Sequence, residues 1–220
     1  DLNASGPDIM NVLVINCGSS SVKADVLSPS SGERSQSILI ERVGHDDCVA
    51  TLNGTRLELP GADHGAALRA TLHRLHLTDI ECVGHRVVHG GDRFSKPARI
   101  TPEVISAIEA LVPLAPLHNP ANLAGIHVAL DLLGQLPHVA VFDTAFHATL
   151  PRRARQYALP QALIDKHELK RYGFHGPSHQ WVSARAAEWL GDDLNALRIV
   201  SCHLGNGASV CAVEYGRSIE

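Results

Sequence analysis

Apolar and polar positions near the start of the chain fall into short blocks. Residues 11–16 carry an apolar run with the length of a buried strand. The run stops at Asn16, and residues 22–27 resume as a second strand after Gly18-Ser19-Ser20-Ser21. Pro29-Ser30-Ser31-Gly32 reads as a turn and Ser37 to Arg42 as a third strand. Asn53-Gly54 joins Cys48–Leu52 to Thr55–Leu59 as a hairpin, because Asn and Gly tolerate the positive φ of a two-residue turn. Several strands therefore precede the first helix.

The period then lengthens. Ala67, Leu68, Leu72 and Leu75 are helically spaced within His64 to Leu75, and Ile80 to Gly84 is a short strand. Thr101-Pro102 opens a helix with Thr as N-cap and Pro at the first helical position, with Ile105, Ile108, Leu111 and Val112 along its apolar face. Asn119-Pro120 is expected to open another by the same device, with Leu123, Ile126, His127 and Leu130 on one side. Val139 to Phe142 is a buried strand ending at Asp143, and residues 144–170 read as a less regular traverse. Gly176-Pro177 starts a helix reaching Leu190, whose packed side is predicted to carry Val182, Ala186, Trp189 and Leu190. Arg198 to Cys202 and Ser209 to Glu214 are strands flanking His203-Leu204-Gly205-Asn206-Gly207, and Tyr215-Gly216 is a turn. Alternating helices and strands indicate an α/β protein. This last strand, turn and strand repeats the style of the opening and suggests two related half-domains. After Ser218-Ile219-Glu220 no helix follows to cover the second sheet, so the chain reads as part of a longer polypeptide.

Composition narrows the class. The 220 residues are 45% hydrophobic and 19% charged, as in ordinary globular proteins. A formal net charge of -4 supplies no basic excess to neutralise phosphates, which argues against a nucleic-acid partner. The five cysteines, Cys17, Cys48, Cys82, Cys202 and Cys211, form no Cys-x-x-Cys pair and fit reduced cytosolic core residues. There is no basic-then-apolar leader and no 18-residue apolar run, so neither secretion nor a membrane span is expected. Asp1 to Ile9 have a loop-like composition ahead of Met10, and residues 1–10 are expected to be a disordered lead-in or an expression remnant. Of the 14 histidines, His64, His73 and His76 are assigned to the surface or core edge, and no His/Cys cluster has the spacing of a structural zinc site.

The candidate chemistry is anionic. Asn16-Cys17-Gly18-Ser19-Ser20-Ser21-Val22-Lys23 concentrates backbone N–H groups, hydroxyls and a cation in one loop, a combination suited to phosphate. Polar residues recur at predicted strand ends, where open α/β sheets hold ligands: Asn16, Arg86, Asp143 and His203. Arg86 suits a bidentate clamp on a carboxylate or phosphoryl oxygen, with a structural ion pair as the alternative. Asp143 could touch a divalent cation, orient a nucleophile or simply cap the segment at Thr144. His175 could stabilise charge on a phosphoryl group or be a packed histidine, and Gly205-Asn206-Gly207 could bind phosphate or make an ordinary hairpin. The P-loop, the Gly-x-Gly-x-x-Gly fingerprint and the Gly-x-Ser-x-Gly elbow are all absent.

Six segments in order carry a family resemblance: Asn16 to Lys23, Val83-Gly-His-Arg-Val-Val-His-Gly-Gly91, Pro116-Leu-His-Asn-Pro120, Val141-Phe-Asp-Thr-Ala-Phe-His147, Arg171-Tyr-Gly-Phe-His-Gly176 and His203 to Gly207. From about Asn11 to Glu220 the chain resembles the N-terminal portion of the acetate and propionate kinase family, within the actin, Hsp70 and sugar-kinase superfamily. The resemblance implies a ribonuclease-H-like (actin-like ATPase) α/β fold with duplicated domains and mixed sheets, the second one truncated here. Residues 11–148 would be the first domain and 149–220 the start of the second.

The resemblance further implies a cytoplasmic, homodimeric enzyme that moves a phosphoryl group reversibly between ATP and acetate, with Mg²⁺ (or Mn²⁺). Asn16 would help hold the metal, and Ser19, Ser21 and Lys23 the phosphates. Arg86 would hold the carboxylate or the moving phosphoryl group. Asp143 would orient the nucleophile and His175 would stabilise the transition state. His203, Leu204, Gly205, Asn206 and Gly207 would wrap the nucleotide phosphates. Val88, Leu117 and Phe174 would line the methyl pocket, and valine at 88 leans toward acetate over propionate. Ala24 and Pro177 stand where the family usually has an aromatic and a threonine. The family's second arginine, metal-binding glutamate and adenosine-pocket segments are expected beyond Glu220, so the isolated chain should be nearly inactive. A non-catalytic nucleotide-binding module is the alternative for the isolated chain.

Overall fold

In the computed structural model, which describes residues 11–220, the opening apolar run forms a central strand, β1 (Val12–Cys17). The expected lead-in over 1–10 lies outside the described residues. Leu13, Ile15 and Cys17 point into a core while Val12, Val14 and Asn16 face the other way, as the two-residue period of a strand requires. β1 pairs antiparallel with β2 (Ser21–Leu27) and parallel with β6 (Cys82–Val87). β3 (Arg34–Glu41), β4 (Val49–Leu52) and β5 (Thr55–Glu58) extend the antiparallel side, and β8 (His138–Phe142) and β7 (Ala98–Arg99) complete the order β5-β4-β3-β2-β1-β6-β8-β7. The Asn53-Gly54 turn has the expected geometry, with φ of 47° and 84°, and the Asn53 amide oxygen also accepts the Ser37 N–H at 2.7 Å.

The chain divides into two compact units. The first holds the described residues up to Val87 together with Ala98–Val141, and the second holds Val88–Pro97 with Phe142–Glu220. In the first unit, α1 (His64–Leu72) and α3 (Asn119–Leu133) pack on the sheet beside each other. Their Ala67, Leu68, Leu72, Val128, Ala129 and Leu133 close a core with the inward residues of β1 to β4. α1 is capped by the Asp63 carboxylate, which accepts the Ala66 N–H at 2.8 Å, and α2 (Pro102–Ala110) by Thr101 as anticipated. Gly125 of α3 lies against Cys17: a Cβ there would sit 2.5 Å from the Cys17 sulfur, so the close approach of helix to strand needs glycine.

The second unit is smaller and differently built. β9 (Arg198–Leu204), β10 (Ala208–Glu214) and β11 (Arg217–Ser218) form an antiparallel sheet in the order β11-β10-β9, with α6 (Gly176–Leu190) packed on β9. The traverse contains two short helices, α4 (Arg152–Arg155) and α5 (Gln161–His167). Gly90 is buried against the Phe142 ring, where a Cβ would come within 2.9 Å of ring atoms, and Phe94 stacks on Phe142 at 4.3 Å.

Several expectations need correction. β3 starts at Arg34, not Ser37, and α1 stops at Leu72, not Leu75. β6 runs through His85-Arg86-Val87, because Val83, His85 and Val87 alternate inward beside the core. β9 likewise continues through His203 and Leu204, since each finds a partner on β10. Asn119 is not a cap: it is the first helical residue of α3, fully buried, with His118 before it. His127 of α3 is exposed. The bounds of α6 are as expected but its packed side is Gly176, His179, Ser183 and Ala187; Val182, Trp189 and Leu190 are exposed and Ala186 is half-buried.

Candidate functional site

In the first unit the β1–β2 turn places the phosphate-type loop at a sheet end. Gly18 N–H donates to the Ser21 carbonyl at 2.7 Å, which closes the turn tightly. The register pairs Asn16 with Lys23, so both project on the face opposite the core residues Ile15, Cys17, Val22 and Ala24. On the other side of β1, Ile15 pairs with His85, which brings Arg86 level with Asn16. Arg86 Nη1–H donates to the Asn16 amide oxygen at 2.9 Å. Lys23, Asn16 and Arg86 thus stand on three adjacent strands as a polar row with two cations.

The loop is anchored from below. Asn122 of α3 donates its amide N–H to the Cys17 carbonyl at 2.7 Å, and His64 of α1 donates Nε2–H to the Gly18 carbonyl at 2.8 Å. His64 is therefore at the core edge, as expected, but with a specific bond to the loop. Burial pushes the Cys17 thiol up to about 12, so it is a packed residue rather than a nucleophile. Ser19, His64 and Leu117 line one groove of about 490 Å³ together with Asp63, Pro116 and Pro120. Leu117 is 75% exposed there.

In the second unit Asp143 follows β8 and is 1% exposed. Its carboxylate accepts the His175 backbone N–H at 3.4 Å, and its carbonyl accepts the Gly176 N–H at 3.0 Å. A Cβ on residue 176 would lie 2.3 Å from that carbonyl oxygen, so this approach requires glycine at 176. His175 itself has φ of 56°, a left-handed conformation rarely adopted by residues other than glycine. Its Nδ1 shares a hydrogen bond with Ser209 Oγ at 2.8 Å, and its ring stacks on His203 at 4.1 Å. His203 Nδ1 in turn shares a bond with Ser178 Oγ at 2.9 Å.

Phe174 is held by its backbone: His147 Nε2–H donates to the Phe174 carbonyl at 3.0 Å, which leaves Nδ1 to bond Ser218 Oγ at 2.8 Å. Burial holds the His147 imidazole below its ordinary range. Val88 is buried, and the next residue, His89, meets the Phe174 ring edge-on at 5.6 Å. Leu204 ends β9 exposed, and Gly205, Asn206 and Gly207 form the exposed β9–β10 turn, with the Gly207 Cα side facing the His175 ring.

The first unit therefore gathers Asn16, Ser19, Ser21, Lys23, Arg86 and Leu117, and the second gathers Val88, Asp143, Phe174, His175 and the 203–207 turn. The sequence did not point to Ser178 and Ser209, which bond His203 and His175, nor to His179 and Ser201, which continue the network from Ser209. A signal existed: Ser201 and His203 alternate on one face of β9, with Ser209 directly across from His203.

The donors suit phosphate better than a caged metal. The loop offers a tight backbone turn, hydroxyls and cations. Among the described residues no group of three or more His, Cys, Asp or Glu could hold a metal ion. Asn16, expected from the sequence as a metal ligand, supplies a neutral oxygen that already accepts from Arg86. A single neutral oxygen would fit Mg²⁺ only as a minor ligand to an ion brought in on phosphate. Among the described residues no helix is long and apolar enough to cross a membrane.

Comparison with known proteins adds a family. The family model described as the Acetokinase family matches residues 11–220. Acetate kinase of Deinococcus radiodurans is 50% identical over 219 residues, covering 96% of this chain and 55% of that protein. The crystal structure of Porphyromonas gingivalis acetate kinase superposes with a TM-score of 0.87 at 43% identity, over 96% of this chain and 56% of that one. A propionate kinase from Francisella tularensis gives the same TM-score, 0.87, at 38% identity, with coverage of 96% and 56%. The chain spans about half the length of the curated relatives it matches.

Proposed function

The chain belongs to the acetokinase family, and on that premise we propose that its protein transfers the γ-phosphoryl group of ATP reversibly to acetate, giving acetyl phosphate and ADP. The observation that supports the reading is the Asn16–Arg86 bond beside the Gly18–Ser21 turn: a guanidinium adjoining a tight, hydroxyl-bearing loop on one sheet end, the groups a carboxylate and a phosphate would need. In the transfer, an acetate oxygen forms a bond to the γ-phosphorus as the bond to the bridging oxygen of ADP breaks. Such reactions depend on positioning and charge neutralisation.

Arg86 would hold the acetate carboxylate or the moving phosphoryl group through its fork of N–H donors. Ser19, Ser21 and Lys23 would contact phosphate oxygens, and the His203 to Gly207 turn would wrap the nucleotide phosphates. Mg²⁺ carried by ATP would neutralise phosphate charge, with Asn16 as its protein oxygen. Acetic acid resembles a Glu side chain, with a pKa of about 4.3, so the nucleophile is already ionised at neutral pH. Asp143 therefore orients the nucleophile and does not need to abstract a proton. His175 would donate to the phosphoryl oxygens at the transition state. Val88, Leu117 and Phe174 would meet the methyl group. We place the domain boundary at 148/149 within a duplicated fold and expect a cytoplasmic homodimer, in keeping with the family.

Acetate is preferred over propionate on Val88 and on the higher identity to the Deinococcus radiodurans acetate kinase, although one methylene is worth only about 1–3 kcal/mol. The test is acetyl and propionyl phosphate formation with Mg-ATP, using the complete gene product and the 220-residue chain side by side. Acetate should give the higher kcat/KM in the complete protein. Inactivity with both acids would sink the kinase reading and leave a nucleotide-binding module; a preference for propionate would overturn the role of Val88. Arg86→Ala should lower kcat/KM for acetate by about 10²–10³-fold, as for loss of a transition-state donor. A near-normal rate would remove Arg86 from the site.

A further inference from the structure

Behind His175 lies a chain of alternating imidazoles and hydroxyls that the proposed mechanism leaves unused. His175 Nδ1 bonds Ser209 Oγ at 2.8 Å, Ser209 Oγ bonds His179 Nε2 at 2.8 Å, and His179 Nδ1 bonds Ser201 Oγ at 3.0 Å. All four residues belong to the second unit. The start of α6 supplies His175 and His179 one turn apart, and β9 and β10 supply the two serines. His179 is fully buried, and burial together with neighbouring imidazoles holds it down to about 4, so it is neutral at pH 7.

The proton count constrains this chain. A hydroxyl has one hydrogen, so Ser209 can donate to one of its two imidazole neighbours and must accept from the other. If Ser209 donates to His175 Nδ1, the His175 proton sits on Nε2. His179 then carries Nε2–H toward Ser209, and its Nδ1 accepts from Ser201. If His175 instead carries a hydrogen on Nδ1, as the other neutral tautomer or as an imidazolium, Nδ1–H donates to Ser209, Ser209 turns its hydrogen to His179 Nε2, and His179 holds its hydrogen on Nδ1, facing Ser201. Both arrangements satisfy all four groups, so the Ser209 hydroxyl couples the two rings: when it bonds both, one of His175 Nδ1 and His179 Nε2 carries a hydrogen and the other does not.

We propose that Ser209 is a positioning residue that, with His179 and Ser201 behind it, fixes the ring plane of His175 toward the phosphoryl group and ties the tautomer of His175 to that of His179. The role of His175 rests on the kinase reading; the tautomer does not. Ser209 bonds both histidines at once, each at 2.8 Å. The ionisable groups that face this chain include Asp143, at the His175 N–H, with His147 beside His179 and His203 stacked on His175.

The experiment compares Ser209→Ala, Ser209→Thr and Ser201→Ala in the complete protein. The ¹⁵N shifts of the His175 ring, assigned with a His175→Gln control, report its tautomer without any assay. Ser209→Ala should move them toward a mixture of tautomers and lower kcat about 10–100-fold, the range for removing a partner that orients a functional histidine. It should leave KM for ATP within twofold and displace the acid limb of the pH–rate profile. Ser209→Thr, which keeps the hydroxyl, should restore both readouts, and Ser201→Ala should have a smaller effect in the same direction. Native ¹⁵N shifts, kcat and pH profile in Ser209→Ala would overturn the proposal. So would equal damage in Ser209→Thr and Ser209→Ala, the mark of a packing role. If the wild-type protein phosphorylates neither acid, the kinase reading fails while the shifts still decide the tautomer claim.

Discussion

The two units differ in the balance of apolar and polar residues that they bury. In the first, the interior is aliphatic: Leu13, Ile15, Val22, Ile38, Ile40, Leu68 and Leu72 meet between one sheet face and two helices. In the second, much of what is buried around α6 and its sheet is polar: His147, His179, Ser183, Ser201 and Ser218. Large apolar side chains stand outside it, with Trp181, Trp189, Leu204 and Val210 all well exposed. Water-exclusion by apolar area dominates the first unit. The second relies on matching each imidazole with a hydroxyl or carbonyl, since an unmatched buried donor costs about 1–3 kcal/mol. The lesson concerns where precision comes from. Apolar packing provides a firm platform for the Asn16–Arg86 row, whereas a hydrogen-bonded interior dictates which nitrogen of a histidine carries its proton.

The largest effect that separates the units should come from the core of the first. Ile126→Ala, at a fully buried position of α3, should cost about 2–5 kcal/mol of unfolding free energy by urea titration. A cost below 1 kcal/mol would mean that the aliphatic interior is not what holds the sheet and helices together.

A second prediction concerns acid. In the first unit His138 Nε2–H donates to the Leu133 carbonyl at 3.0 Å, so its Nδ1 accepts from His85 Nε2–H, also at 3.0 Å. Burial and the neighbouring His138 hold His85 down to about 3, and burial lowers His138 as well. The unfolded chain takes up protons below about pH 6.5 and the folded chain does not. Stability is therefore full above that pH and falls as pH drops from 6.5 toward 3, by about 1.4 kcal/mol per pH unit for each fully shifted imidazole. His179 adds the same trend in the second unit down to about pH 4. Urea midpoints at pH 7, 6 and 5 test this, with His85→Gln expected to flatten the slope. A pH-independent midpoint would show that these rings ionise freely in the fold.

The smallest effect belongs to the exposed side of α6. Trp189 is 86% exposed, and Trp189→Ser should change the stability of the isolated chain by no more than about 0.5 kcal/mol. Trp181 and Trp189 are the only two tryptophans, and both lie on this helix, so fluorescence of the chain reports the second unit alone. A loss above 2 kcal/mol would dissolve the contrast between the units.

The contrast also explains which parts of the fold were legible beforehand. The bounds of α6 follow from Gly176-Pro177 at one end and Gly191, with φ of 73°, at the other, because these are backbone constraints written in single residues. Its buried face was misread because periodicity assumes that apolar residues turn inward, and here His179 and Ser183 do. The strands through Arg86 and His203 were read as ending too early for the same reason: polar residues looked like loop, but an edge or half-buried strand accepts them on alternate positions.

By itself, then, the amino-acid order determined the α/β class, the turn chemistry at Asn53-Gly54 and Gly18 to Ser21, and the candidate groups Asn16, Lys23, Arg86, Asp143 and His175. These depend on local dihedral preference, periodicity and side-chain chemistry. Tertiary structure decided which of them touch. Strand register put Asn16 between Lys23 and Arg86, and the crossing of α6 over β9 and β10 put two serines, 201 and 209, against two histidines. Pair contacts between residues far apart in sequence are set by register and packing angle, and a linear pattern encodes neither.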